Sequence, residues 1–221
     1  MTLFPRVITV AARESSLSRA QVEEILLAVQ EIHPEITFSP LWLKTIGDRD
    51  QKTSLLTQEK TNFFTKEVDE AVLEGRCQIA IHSAKDLPDP LPEGLAVIAY
   101  TEGVDPSDVL VFKEEDSLET LPSGARIGTS SFRREENVKK LRSDLICVDI
   151  RGTIEKRLSL LDEGDYDALI MAKAALIRLK LIRKTQNLPG AISLMQGRLA
   201  ILCREEDEEM KELFSFLHRV L

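Results

Sequence analysis

The feature that most limits the fold of this chain is a pattern that occurs twice: an apolar run, a pair of serines and an amphipathic helix. In the first copy, the run Val7 to Ala12 precedes Ser15-Ser16 and a segment with apolar residues at helical spacing. In the second copy, residues 125–128 precede Ser130-Ser131 and the segment FRREENVKKLR. A strand followed by a capped helix is the unit of a parallel α/β sheet, so the pattern predicts two related α/β lobes. Because serine is among the commonest helix caps, a chance likeness is the alternative.

The domain boundaries follow from where this pattern breaks. The break lies near Glu102 to Asp108, where the segment TEGVDPSD, residues 101–108, interrupts the pattern with Gly and Pro. Near the end of the sequence, the predicted strand LAILCR and the charged helix after it indicate that the chain returns to the first lobe. We therefore expect a first lobe of residues 1–101 and 202–221 and a second lobe of residues 102–201, joined by two crossover strands that act as a hinge.

Composition and charge exclude several classes of protein. A net charge of −8 opposes general binding of nucleic acid, and no apolar run approaches the roughly 20 residues that cross a bilayer. The N-terminal segment does not resemble an export signal, so we expect a cytoplasmic protein. Cys77, Cys147 and Cys203 are read as reduced thiols within the core, and with three histidines we expect no metal site.

Arginines stand at predicted strand-to-helix turns, where ligands bind in open α/β sheets. Arg133 and Arg134 fall in the first turn of a helix, which disfavours cations unless an anion compensates them. Arg151 precedes a glycine, and Arg13 stands just ahead of Ser15. Guanidinium groups in these places favour a ligand with several carboxylates. The alternative is surface ion pairing with neighbouring acids, namely Glu135, Glu136, Glu155 and Asp149.

One carboxylate is singled out by its position. Asp86 follows Lys85 in a polar loop at the end of the apolar run Ile79 to Ile81. An aspartate beside a lysine stays ionised and can stabilise a cation formed during a reaction. An aspartate that caps a short helix or turn is an equally good interpretation. His82, in the same stretch, is read as a packed residue of the strand end.

These motifs, in this order, closely resemble the porphobilinogen deaminase (hydroxymethylbilane synthase) family. The resemblance covers nearly the whole chain and rests on the segments AARESSLSRAQ, FFTKEVDEAVLEG, AIHSAKDLP, IGTSSFRR, IRGTIEKRL and MQGRLAILCR. It implies two hinged lobes of the periplasmic-binding-protein type II class with the active cleft between them. It also implies an enzyme of porphyrin and haem biosynthesis that joins four molecules of porphobilinogen into a linear tetrapyrrole and releases ammonia at each step.

The resemblance assigns roles to individual residues. It places the carboxylate that stabilises the cationic intermediate on Asp86. It gives the binding of substrate and cofactor carboxylates to arginines and polar side chains, namely Arg13, Ser15, Lys85, Thr129, Ser130, Arg133, Arg134, Arg151, Arg157 and Gln196. We expect porphobilinogen as the small-molecule partner and a monomeric protein.

Two departures from the family's pattern bear on the activity. The family carries a dipyrromethane cofactor on the thiol of a Gly-Gly-Cys segment in a third domain, and none of the three cysteines here matches that thiol. We therefore expect no third domain, no covalent cofactor and a reduced activity; a catalytically silent two-lobed module that binds a pyrrole or polycarboxylate is the alternative. In addition, the family's glycine-rich lysine loop reads Glu59-Lys60-Thr61-Asn62 here.

Overall fold

The computed structural model of the protein describes residues 6–50, 62–113 and 116–217. Three residues of the altered loop, Glu59, Lys60 and Thr61, lie outside these ranges. The described residues divide into two α/β units: a first unit of residues 6–49, 62–103 and 198–217, and a second unit of Asp50 and residues 104–113 and 116–197. The predicted α/β class with two sheets is confirmed. No helix in the described ranges is long and apolar enough to cross a membrane.

The first unit is built on a five-stranded sheet of order β2-β1-β3-β10-β4, with strands numbered in chain order through the whole protein. Its strands are β1 (Arg6–Arg13), β2 (Ile36–Leu43), β3 (Ile79–Ser83), β4 (Leu95–Tyr100) and β10 (Leu199–Arg204). Strands β1, β2 and β3 run parallel, and β10 is antiparallel to both of its neighbours. The helices are α1 (Ser16–Gln30), α2 (Ile46–Arg49), α3 (Lys66–Leu73) and α7 (Glu208–Phe214), and a 3-10 turn at Ala84–Asp86 follows β3 directly.

The second unit repeats this arrangement in a sheet of order β7-β6-β8-β5-β9. Its strands are β5 (Asp108–Phe112), β6 (Arg126–Gly128), β7 (Ile146–Val148), β8 (Ala168–Ala172) and β9 (Thr185–Leu188), and its helices are α4 (Phe132–Leu141), α5 (Ile154–Glu163) and α6 (Lys173–Arg178). Strands β6, β7 and β8 run parallel, and β5 is antiparallel to β8 and β9. The strand after which each serine pair stands is therefore in the same place in both sheets.

The two serine pairs differ in what their side chains do. The Ser15 hydroxyl caps α1 by accepting a hydrogen bond from the Ser18 amide at 3.3 Å, as a helix N-cap does. Ser131 occupies the N-cap position of α4 but makes no capping hydrogen bond with its side chain. The two units are therefore alike in strand order and strand direction. The hydrogen bonds that their serine side chains make differ between the units.

Alternation along the strands decides which side chains meet each helix layer. In β5, Leu110 and Phe112 belong to the apolar cluster that contains Val138 of α4. Val109 and Val111 belong to the cluster on the opposite face, with residues of α5. Asp108 has the same parity as Leu110, so its side chain shares the α4 face of the sheet.

The pairing of β10 corrects one of the sequence boundaries. Leu199 pairs with Ser83, and Ala200 pairs with His82, so residues 199–201 lie in the first sheet rather than in the second lobe. The reason is that an apolar strand is placed by its hydrogen-bonding neighbours, which the linear sequence does not show. The chain passes from the first unit to the second after Gly103 and returns after Gly197.

Candidate functional site

The carboxylate of Asp108 contacts three polar side chains of the second unit, namely those of Arg133, Arg134 and Gln196. Its Oδ1 accepts hydrogen bonds from Nε and Nη2 of Arg134 at 3.0 and 2.6 Å and from Nε2 of Gln196 at 2.9 Å. Its Oδ2 lies 2.7 Å from Nη1 of Arg133. Asp108 begins β5 opposite Ala172, the last residue of β8. The carboxylate therefore stands at the rim where the parallel strands of this sheet end.

This contact explains how two arginines are tolerated in the first turn of α4. The Asp108 side chain is 1% exposed, and those of Arg133 and Arg134 are 25% and 12% exposed. Burial would raise the pKa of the Asp108 carboxyl, but the charge and hydrogen bonds of Arg134 and Arg133 outweigh burial and lower the pKa below its ordinary value of 3.8. The anion that the helix start requires is thus supplied from within the unit. Neither Glu135 nor Glu136, the acids predicted as ion-pair partners, takes this place.

The two arginines differ in how much of their hydrogen-bonding capacity is used. Arg134 directs Nε and Nη2 to Asp108 and Nη1 to the Ile170 carbonyl at 3.5 Å. Arg133 uses Nη1 alone, toward Asp108 and the Ala191 carbonyl, among the contacts with described residues. Because a guanidinium has five N–H donors, Arg133 keeps donors for an added anion, whereas most of those of Arg134 are engaged.

Thr129 and Ser130 hold the end of β6 to the segment that leads to Arg151. The Thr129 amide donates to the Val148 carbonyl at 2.9 Å. The Ser130 hydroxyl donates to the Ile150 carbonyl and accepts from the Ile150 amide at 3.1 Å. A hydroxyl has one proton to donate, and here that proton is used inside the unit. Ser130, predicted as a ligand-binding residue, is seen to fix the backbone beside Arg151.

The remaining predicted residues of the second unit are Arg151 on the turn before α5, Arg157 within α5, and Gln196 in the segment before β10. Arg151 Nη2 donates to the Asp50 carbonyl at 3.1 Å, and Arg157 Nε donates to the Gly152 carbonyl at 2.9 Å. Gly152 has φ +105°, a conformation that glycine adopts without strain. Gln196 is 4% exposed and also donates to the Pro106 carbonyl at 2.8 Å. The glutamine therefore ties the chain before β10 to the start of β5.

Arg13 ends β1 in the first unit and is paired with Asp48. Its Nε lies 3.2 Å from Asp48 Oδ2, its Nη2 contacts Oδ1, and its guanidinium stands 4.8 Å from the centre of the Phe64 ring. The Thr45 amide and hydroxyl donate to Asp48 at 3.0 and 2.9 Å. Burial raises the pKa of the Asp48 carboxyl, but the hydrogen bond and charge of Arg13 lower it, and the net shift is a decrease. This aspartate was missed by the sequence analysis.

Lys85 and Asp86 lie in the 3-10 turn that follows β3, and both are half-buried. Within the part of the chain that the structure describes, the Asp86 carboxylate makes no hydrogen bond or ion pair. It does not cap the turn, so the capping interpretation of Asp86 receives no support. A half-buried carboxylate held on a short, ordered turn is suited to interact with a group that arrives from outside the chain.

The three thiols of this sequence are poor nucleophiles. Cys77 and Cys203 are buried, and Cys147 is half-buried. Burial raises the pKa of Cys77. Burial, with the nearby charge of Glu135, raises the pKa of Cys147 to about 11, and burial, with that of Asp207, raises the pKa of Cys203 to about 11. Since the thiolate is the reactive form, these environments do not favour formation of a thioether.

Asp108 is the main functional candidate that the sequence analysis missed. It stands at the start of strand DVLVF, and its only local signal is one charged residue in a run that is otherwise apolar. Buried charges in proteins are usually paired, so a charged residue in an apolar strand predicts a cationic partner.

Comparison with known proteins identifies relatives over nearly the whole chain. The family model described as porphobilinogen deaminase, dipyromethane cofactor binding domain, matches residues 8–212. The probable porphobilinogen deaminase of Chlamydia pneumoniae is 40% identical over 214 residues, which cover 96% of this chain and 91% of that protein. The probable porphobilinogen deaminase of Chlamydia trachomatis serovar D is 42% identical over 208 residues, covering 94% and 86%.

Solved structures show the same two-lobed architecture. An ancestral cationic amino acid solute binding protein superposes with a TM-score of 0.60 at 10% identity, over 96% of this chain and 87% of that one. The probable amino-acid ABC transporter extracellular-binding protein ytmK from Bacillus subtilis does so with a TM-score of 0.54 at 12% identity, over 96% and 90%. These likenesses confirm the periplasmic-binding-protein type II class of fold. The family model over residues 8–212 and the relatives at 40–42% identity show that the chain belongs to the porphobilinogen deaminase family.

Proposed function

We propose that this protein is a hydroxymethylbilane synthase, which condenses porphobilinogen into a linear tetrapyrrole with release of ammonia in porphyrin biosynthesis. The observation that carries the proposal is the Asp86 carboxylate, which has no partner among the described residues and is held on the turn after β3. Membership of the porphobilinogen deaminase family supports the choice of substrate.

The chemistry needs a carboxylate of this kind. Porphobilinogen is a pyrrole with acetate, propionate and aminomethyl groups. When the aminomethyl C–N bond breaks, the electron pair leaves with ammonia and a cationic azafulvene remains. An ionised carboxylate beside the pyrrole N–H accepts a hydrogen bond from it and stabilises the positive charge as the charge develops. We assign this role to Asp86, and we assign Lys85, its neighbour in the turn, to a substrate carboxylate.

The second unit supplies candidates for holding the acetate and propionate groups. We assign this binding to Arg133, Arg151 and Arg157, because guanidinium groups bind carboxylates through paired N–H donors. Arg134, Ser130 and Gln196, whose hydrogen bonds are largely used within the unit, are assigned to positioning. We also propose that Arg13 and Ser15 of the first unit and Thr129 of the second unit contribute to binding these carboxylates.

The donor set also fits a dipyrromethane cofactor, whose rings carry the same carboxylate groups. When bound, dipyrromethane supplies the primer to which porphobilinogen units are added. Arg133, Arg151 and Arg157 are the residues proposed to hold it. Because the pKa of each of the three thiols is raised, we propose that the primer is held without a covalent bond to this chain.

The function is tested by incubating purified protein with porphobilinogen and measuring uroporphyrin after acid oxidation. We expect product above the blank, at a slow rate because a non-covalent primer dissociates between steps, and an intact protein mass that matches the sequence alone. Absence of product while porphobilinogen still binds would contradict the enzyme assignment and support the binding module. A mass increase equal to a dipyrrole would contradict the non-covalent primer.

Replacement of Arg151 by alanine tests the assignment of anion binding. We expect the affinity for porphobilinogen, measured by calorimetry, to fall by about 1–3 kcal/mol, the usual cost of losing a charged hydrogen bond. Arg183→Ala is the matched control, because Arg183 pairs with Asp162 at the surface of the same unit, 2.8 Å away. Equal affinities for the two variants would return Arg151 to a purely structural role.

The proposal also includes a monomer that acts in the cytoplasm on a small molecule. Light scattering of the purified protein tests the monomer.

A further inference from the structure

The last two residues of β3 are anchored from opposite faces of the first sheet. Ile79 and Ile81 belong to the apolar cluster that contains residues of α1, so by alternation Ser83 faces α1 and His82 faces the other side. Gln21 of α1 donates a hydrogen bond from Nε2 to Ser83 Oγ at 2.9 Å. On the opposite face, Nε2 of His82 lies 2.9 Å from Oδ1 of Asp69, which is on α3. The 3-10 turn that carries Asp86 begins at the next residue.

The His82 and Asp69 side chains are 4% and 2% exposed, so water does not solvate either group. The two atoms are within contact distance, but the N–H is not aligned with the carboxylate as in an ordinary hydrogen bond, and neither Nε2 of His82 nor either oxygen of Asp69 has another hydrogen-bonding partner among the described residues. The contact between His82 and Asp69 therefore offsets the loss of hydration that burial imposes on each of them.

Backbone contacts complete the attachment of the turn. The Ala84 amide donates to the Arg198 carbonyl at 3.0 Å, and the Leu87 amide donates to the Ala84 carbonyl at 3.4 Å. Strand β10 pairs with β3 up to Ser83, opposite Leu199. The backbone entering the turn is therefore fixed by β10 beside it, by α1 on one face and by α3 on the other.

These contacts contribute more to the position of the strand end than to the stability of the unit. A buried charged or polar pair adds little stability compared with apolar residues of the same volume, because both groups lose their hydration. Removing one partner is costly, because the other is left buried and uncompensated. A His–Asp pair and a Gln–Ser pair on successive residues therefore define the position of the strand end more sharply than apolar packing does.

We propose that Asp69 and Gln21 are positioning residues for Asp86: they fix His82 and Ser83 from the two faces of the sheet and so set where the following turn places the carboxylate. The effect on catalysis rests on the proposed function. The effect on the turn itself does not.

The first test measures amide hydrogen exchange, which requires no activity. In Asp69→Ala, we expect exchange at Ala84 and Leu87 to accelerate about tenfold or more, while β1 changes much less; an unpaired buried group costs enough to open a segment by this factor. Asp69→Asn keeps the shape and a hydrogen-bonding group, so we expect a change within about threefold. Val29→Ala, a buried truncation elsewhere on α1, is the control and should raise exchange without selectivity for the turn.

The second test separates positioning from stability by kinetics. We expect Asp69→Ala and Gln21→Ala to lower kcat about tenfold with KM little changed, with recovery in Asp69→Asn, since misplacement of a reacting group lowers the rate more than binding. Should Asp69→Ala fail to fold, Gln21→Ala supports or overturns the proposal in both tests. Selective exchange at the turn without turnover in the wild type would keep the positioning role and refute the proposed function. Unchanged exchange at the turn, or a uniform increase across the unit, would overturn the proposal.

Discussion

Replacing Asp86 by asparagine is expected to reduce the rate of tetrapyrrole formation about 10²- to 10³-fold while the affinity for porphobilinogen changes little. The amide keeps the shape of the side chain but loses the negative charge that stabilises the azafulvene cation. Loss of one group that stabilises developing charge has effects of this size in enzymes. Because the charge develops mainly in the transition state, the loss belongs to kcat.

The measurement compares kcat from initial rates with Kd from calorimetry for the wild type and the variant. Asp89→Asn is a matched control, since Asp89 is an exposed acid three residues further along the same loop. We expect the control to retain the wild-type rate. A rate for Asp86→Asn within about twofold of the wild type would show that this carboxylate does not take part in the reaction.

Replacing Asp108 by asparagine is expected to lower the free energy of unfolding by about 3 kcal/mol, the lower end of the range for breaking a buried ion pair. The carboxylate is 1% exposed and contacts both arginines of the first turn of α4. Without it, two guanidinium groups remain at a helix start that already disfavours cations. Their partial exposure, 25% and 12%, lets water offset part of the loss.

Urea unfolding of the two proteins measures this difference. Asp162→Asn is the control, because Asp162 pairs with Arg183 at the surface of the same unit and exposed pairs contribute about 1 kcal/mol or less. A loss for Asp108→Asn no larger than that of the control would mean that the arginines do not depend on this carboxylate. In that case the internal anion cannot explain their place at the helix start.

The same pair predicts how stability depends on pH. The pKa of Asp108 is lowered in the folded protein, so the carboxylate contributes its full stabilisation above its ordinary pKa of 3.8. That contribution declines as the pH falls through the lowered value. We therefore expect the difference in unfolding free energy between wild type and Asp108→Asn to be constant near neutral pH and to shrink below pH 3.8. A difference that grows with acidification would contradict the pairing.

The sheets could be predicted from the sequence because their signals are local. Apolar runs, serine caps and glycines after helices lie within a few residues of the elements that they define. The same pattern in both halves predicted two related α/β lobes, and the structure confirms two α/β sheets, which also share one strand order. The assignment of residues 199–201 was wrong because strand pairing depends on partners more than 100 residues earlier in the sequence.

The partners of the site residues could not be predicted, because they are distant in the sequence. Glu135 and Glu136 were plausible partners for Arg133 and Arg134 by proximity, whereas the actual partner, Asp108, is 26 residues from Arg134. Finding it requires knowing that the α4 face of β5 meets the start of that helix. Asp86 is the opposite case: its place at the end of a strand was evident, but only the contacts distinguish a cap from a carboxylate left for a ligand.

The most direct test of the account is to quantify ammonia and linear tetrapyrrole formed from porphobilinogen by the purified wild-type protein. The account predicts that both accumulate with time in a ratio of four to one, as the family's reaction requires, and that the mass of the protein is unchanged after turnover. Binding of porphobilinogen with neither product above the blank would contradict it and leave a two-lobed binding protein in place of an enzyme.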